Sequence, residues 1–175
     1  MKVTHQLQLI PSTPAQIENA AKHCRNLVKR QALLAAGVAM LPIPGLDWIT
    51  DIGVLIKVLP QINEYFGLSQ VQIEKLSPDR QLVVYKSLTA AGGLVVGRIV
   101  TRELVIKSLR LVGVRLSTQQ TTKYVPLACQ ALSAVLTYSA LRHVCEQHIK
   151  QCVAVASAVA APQALETLQR IDTAD

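Results

Sequence analysis

Proline, glycine and capping residues cut this chain into runs of helical length. The breaks fall at Pro11-Ser12-Thr13-Pro14, Pro42-Ile43-Pro44-Gly45, Gly67, Ser77-Pro78, Gly92-Gly93, Gly113, Pro126 and Pro162. Between them apolar residues recur mostly at spacings of three and four, the helical period. Only the first ten residues alternate (Val3, His5, Leu7, Leu9), as an edge strand or a loose arm would. The pattern reads as all-α: a multi-helix bundle of five to seven helices with Pro-Gly-broken helical hairpins. Its expected parts are an N-terminal arm over 1–13, a bundle over 14–161, and a short C-terminal helix and tail over 162–175.

The first helix is expected from Pro14 to about Met40, with Thr13 as its cap. Ile17, Ala20, Cys24, Leu27, Gln31, Leu34 and Val38 are its expected buried face, with Glu18, Lys22, Arg25 and Lys29 opposite. A second helix is expected from Leu46 to Phe66, kinked at Pro60 and stopped by Gly67. Ser69-x-x-Gln72 is a capping box for a short helix. Ser77-Pro78-Asp79 opens a longer one, expected to run through Gly92-Gly93 to before Gly113. Its stretch 98–112, carrying Arg98, Arg102, Lys107 and Arg110 all round, reads as central to the bundle. Ser117-x-x-Gln120 is a further box, and Pro126 begins a last long helix to about Ala160.

Half of the 175 residues are apolar, with a formal charge of +7. That excludes an intrinsically disordered chain. Four cysteines without paired spacing do not make a disulfide framework. The N-terminus lacks the continuous apolar core of a signal peptide. Between Lys123 and Arg142 lie 18 uncharged residues, the length of a spanning helix, but Gln130, Ser133, Thr137 and Ser139 lower its hydropathy. A buried bundle and a membrane-inserted form both remain open from sequence alone.

Leu41-Pro42-Ile43-Pro44-Gly45-Leu46-Asp47-Trp48-Ile49-Thr50-Asp51, followed by an apolar helix ending Tyr65-Phe66-Gly67-Leu68, carries a resemblance. It resembles the helical domain of the immunity-related (interferon-inducible) GTPases. It is equally similar to bacterial helical domains that follow Era-like GTPase domains or stand alone near membranes. Lys123-Tyr124-Val125-Pro126-Leu127-Ala128-Cys129 resembles that family's later Pro-containing helix start, with Cys129 where the family usually has glycine. The resemblance implies an all-helical, often membrane-associated domain accessory to a GTPase; it carries no catalytic residues over to this chain, and no cofactor is expected. The chain has no G-x-x-x-x-G-K-[ST] loop, so any nucleotide would be bound by a GTPase acting in trans.

Other constellations have plainer readings. Asp47 and Asp51, one turn apart, suit acid/base or metal chemistry, but a first-turn charge and an ion pair to Arg98 or Arg102 explain them better. Cys145, His148 and Cys152 share a helical face, with His23-Cys24 as further donors, yet i and i+7 lie about 10 Å apart along a helix, so only Cys145 with His148, or His148 with Cys152, could share an ion. Buried thiols are expected there, and a Cys-His nucleophile lacks an oxyanion loop. Gly93-x-x-x-Gly97 suits close helix packing.

The expected function is therefore interaction without catalysis. Lys22, Arg25, Lys29 and Arg30 would dock an anionic membrane surface at the cytoplasmic face or an acidic partner, and Leu41, Ile43, Leu46 and Trp48 would present an apolar wedge. Pro42, Pro44, Gly45, Asp47, Asp51, Gly67 and Pro126 are expected to be structural. The alternatives are a soluble homo-oligomer and, behind it, an enzyme using Asp47 and Asp51. Few aromatics and no recognisable motif argue against nucleic acid.

Overall fold

Thr13 and Pro14 start the first helix as their chemistry requires. In the computed structural model the Thr13 hydroxyl accepts the Gln16 N–H (3.3 Å), and Gln16 Oε1 receives the Ser12 and Thr13 N–H groups. Pro14 occupies the first helical position, where its missing donor costs nothing. The structure describes residues 10–39, 46–90, 100–111 and 127–161, and side chains among these except at 46–51, 102, 108–111 and 127–133. Among the described residues it is all-α, without strands. The helices are α1 (Pro14–Ala39), α2 (Leu46–Tyr65), α3 (Gln70–Glu74), α4 (Pro78–Ala90), α5 (Arg102–Leu111) and α6 (Leu127–Ala160).

Gly67 ends α2 as expected. Its φ of 67° is the left-handed conformation that other residues avoid. The Gly67 N–H donates to Glu64 O (3.1 Å) and the Leu68 N–H to Asn63 O (2.8 Å), a Schellman motif sealed by buried Leu68. Gln72 then joins α3 to that end. Its Oε1 accepts the Ser69 N–H (3.1 Å) and hydroxyl (2.6 Å), and its Nε2 donates to Glu64 O (3.2 Å). Gln81 does the same for the α3–α4 turn, donating to the Glu74 and Leu76 carbonyls.

The contacts divide the chain into two compact units. One gathers α1 through Cys24, α2 from Pro60, α3, α4 and α6 from His148. The other gathers α1 from Arg25, α2 through Leu59, α5 and α6 through Gln147. Buried Ile62, Phe66, Leu68, Ile73, Val84 and Ile149 are core residues of the first, and Ile52, Leu55, Val58, Val105, Leu141 and Val144 of the second.

Two expectations are corrected. The buried stripe of α1 is Ile17, Ala21, Cys24, Val28, Ala32, Ala35 and Ala39, whereas Leu34 is 66% exposed and Leu27, Gln31 and Val38 are half-buried. At 100° per residue the true face is turned by about 70° from the expected one. Alanines face the core because they let neighbouring helices approach closely, and the larger leucines are left outside. The long helix expected from Ser77 to before Gly113 is in fact α4 and α5. Thr101 starts α5 afresh, its Oγ1 accepting the Leu104 N–H (3.3 Å) and its carbonyl the Val105 N–H (3.0 Å). Nor is α5 enclosed on all sides as a central helix would be: Val105 is buried while Glu103 and Lys107 face solvent. Among the described residues, no helix is long and apolar enough to cross a membrane.

Candidate interaction surface and buried polar cluster

The outer face of α1 carries Lys22, Arg25, Lys29 and Arg30, all exposed. Two of the four are occupied. Lys22 Nζ lies 3.9 Å from Glu18 Oε1, and Arg25 Nε donates to Glu146 Oε1 and Oε2 at 3.2 and 3.3 Å. Lys29 and Arg30 have no carboxylate within ion-pair distance among the described residues. One turn beyond them Leu33 (55%) and Leu34 (66%) are exposed.

On α6 the arrangement repeats in reverse order, with Val135 and Leu136 exposed and Arg142 and His143 exposed beyond them. The two long helices pack together in each unit: in the first a groove sets Ile17 and Glu18 of α1 against Val153 and Ser157 of α6, and in the second Arg25 of α1 meets Glu146 of α6. Leu33 and Leu34 follow the Arg25–Glu146 bridge by eight and nine residues, and Leu136 and Val135 precede it by ten and eleven. All four belong to the second unit. That unit's described residues hold eight Lys and Arg against four Asp and Glu, a net of +4; the other unit's hold five against four, a net of +1. The more basic unit is thus the one that exposes Leu33, Leu34, Val135 and Leu136, while the first unit exposes Val71, Leu82 and Tyr85.

The expected wedge falls outside the described residues at Leu41, Pro42, Ile43, Pro44 and Gly45, as do Pro126, Arg98 and Gly93-x-x-x-Gly97. Leu46 and Trp48 are in the first turn of α2, with Asp47 and Asp51 on the same helix, their side chains outside the description. Leu33, Leu34, Val135 and Leu136 were not anticipated. For Leu33 and Leu34 the signal was their place off the α1 alanine stripe, legible only once that stripe is known to be the buried one.

The first unit buries a polar cluster. Asn63 Oδ1 of α2 lies 2.9 Å from His148 Nε2 and 3.7 Å from Cys152 Sγ, which is 3.8 Å from the same Nε2. Cys, His and Asn are the residue types of one family of thiol hydrolases, but the roles differ here. A relay needs the imidazole to face the thiol with one nitrogen and its orienting group with the other; here Nε2 faces both. Burial also pushes the Cys145 thiol up to about 12 and the Cys152 thiol higher still, the latter helped by nearby Cys24. A thiol held protonated is a poor nucleophile and a poor metal ligand. The three described cysteines are free and buried, as expected from sequence, and no group of three metal-ligating residues converges among the described residues. His23 does not join Cys24: exposed, it meets the Tyr65 hydroxyl at 2.8 Å. The groove between the start of α1 and the end of α6 has a volume of about 340 Å³ and is lined by small and apolar residues with Glu18 as its one charge.

No protein family, curated protein or solved structure matches this chain.

Proposed function

We propose that this protein is a non-enzymatic helical domain that docks on an anionic membrane surface through its second unit. The observation that supports this most directly is the adjacency, one turn apart on α1, of Lys29 and Arg30 to exposed Leu33 and Leu34, in the unit that also exposes Val135 and Leu136. Cations near an anionic bilayer each contribute about 1 kcal/mol. Apolar side chains carried into the headgroup boundary add to that, at about 25 cal/mol per Å² removed from water. Lys22 and Arg25, drawn into ion pairs, contribute less to the dock than sequence suggested. An accessory role toward a GTPase supplied in trans rests on the resemblance around Pro42–Asp51 alone.

Fractionation of cells expressing the protein tests the mode of association. Docking requires protein in the membrane pellet that carbonate releases and high salt partly releases. Protein wholly in the supernatant at low salt contradicts it. Protein resistant to carbonate contradicts a peripheral dock.

A further inference from the structure

The outer face of α4 has an order that is complementary to itself. Leu82 and Tyr85 are about half exposed, and with exposed Pro78 and Thr89 they form a stripe along the side turned away from buried Val84. When two copies of one helix pack antiparallel about a two-fold axis, residue i faces residue j of the other copy with a constant sum i + j. One register, with sum 167, sets Leu82 on Tyr85 of the second copy, Tyr85 on its Leu82, and Pro78 on its Thr89. Asp79 and Lys86 lie on one flank of that stripe, about 20° apart in projection at 100° per residue. Their sum of 165 leaves Asp79 offset from Lys86 of the second copy by two residues, about 3 Å, which a lysine stem spans. The symmetry makes this ion pair twice. Neither Asp79 nor Lys86 has an ion-pair partner among the described residues of its own chain, and Asp79 also suits the first turn of α4.

We propose that α4 is the contact face of a symmetric, antiparallel homodimer, with Leu82 and Tyr85 at its centre and the two Asp79–Lys86 pairs along one flank. The occupant is a second copy because the two-fold register that pairs the apolar residues also brings the opposite charges within two residues of each other, in reach of a lysine stem. A contact built from one 13-residue helix covers less than the roughly 800 Å² per partner of a stable interface. The dimer is therefore weak and forms as concentration rises through the micromolar range. It is independent of membrane docking, which uses the other unit.

Sedimentation velocity on the full chain, over a micromolar concentration series, tests this with Asp79→Lys and Lys86→Asp. Each variant alone sets like charges against each other and weakens association about tenfold or more. An equimolar mixture restores it. The Asp79→Lys chain carries a cation at both positions and the Lys86→Asp chain a carboxylate at both, so every cross-pair in the mixed dimer joins opposite charges. Leu82→Ser, on an exposed position that leaves the fold intact by circular dichroism, also weakens the dimer. A wild-type chain that stays monomeric across the series overturns the proposal, as does a mixture that associates no better than either variant alone.

Discussion

Arg25 and Glu146 are 121 positions apart, yet the guanidinium Nε lies 3.2 Å from one carboxylate oxygen and 3.3 Å from the other. This bridge joins α1 to α6 and takes one cation out of the basic face that sequence grouped together. Both side chains remain partly exposed, 42% and 31%. Arg25→Ala should therefore cost only about 0.2–1 kcal/mol in urea denaturation. It should also weaken vesicle binding less than Lys29→Ala does. An equal loss for the two would mean that the bridge opens at the surface.

The bridge marks the limit of what the chain's order made legible. Thr13-Pro14 and Gly67 act on their own neighbours, so local chemistry foretold both ends correctly. The burial of α1 depends on what packs against it, and the leucine pattern pointed about 70° away. Asn63 had no sequence signal at all as the partner of His148, since 85 positions separate them. The α4–α5 division was missed because apolar periodicity resumes after Gly92-Gly93 and masks a fresh cap at Thr101.

The α1 alanine stripe gives a direct check. Ala35 is 2% exposed, so Ala35→Leu should overpack the core and cost about 1–3 kcal/mol. Leu34→Ser, on the outer face, should change stability by less than about 0.5 kcal/mol. Thermal and urea denaturation of the pair would read the order, and the reverse order would restore the face expected from sequence.

Three glycines divide by conformation. A Cβ at Gly37 or Gly53 meets nothing within 4 Å, and both sit inside helices. Gly37→Ala and Gly53→Ala should each stabilise by roughly 0.5–1 kcal/mol. Gly67→Ala should destabilise by about 1–2 kcal/mol, because φ is 67° there. Denaturation midpoints of the three variants separate these signs.

Buried thiols make stability pH-dependent at the alkaline end. Desolvation raises Cys145 from 9.0 to about 12 and Cys152 further. Below pH 9 both states hold these protons, and the neutral thiols stay packed at no ionisation cost. Above pH 9 the unfolded chain releases them while the folded chain retains them, so stability falls as pH rises toward 12. The slope reaches about 1.4 kcal/mol per pH unit for each thiol. Cys145→Ala with Cys152→Ala should flatten the decline between about pH 9 and about pH 11, measured by urea denaturation at each pH. An unchanged slope would mean the thiols are not the cause.

Asn63 should matter to stability and not to docking. Asn63→Ala leaves His148 and Cys152 without its carbonyl oxygen in a buried site, at a cost of about 1–3 kcal/mol. Vesicle binding of the folded fraction should match wild type. A variant that remains stable but loses binding would move the functional site into the cluster.

Docking itself is tested most directly by co-sedimentation with vesicles of neutral lipid alone and of neutral lipid with phosphatidylserine. Wild type is compared with Lys29→Glu/Arg30→Glu and with Leu33→Ser/Leu34→Ser. Docking predicts binding to the anionic vesicles only, weakened by salt, lost in the charge-reversed variant and reduced in the serine variant. Wild type that binds neither vesicle, or charge-reversed protein that binds as wild type does, would contradict it.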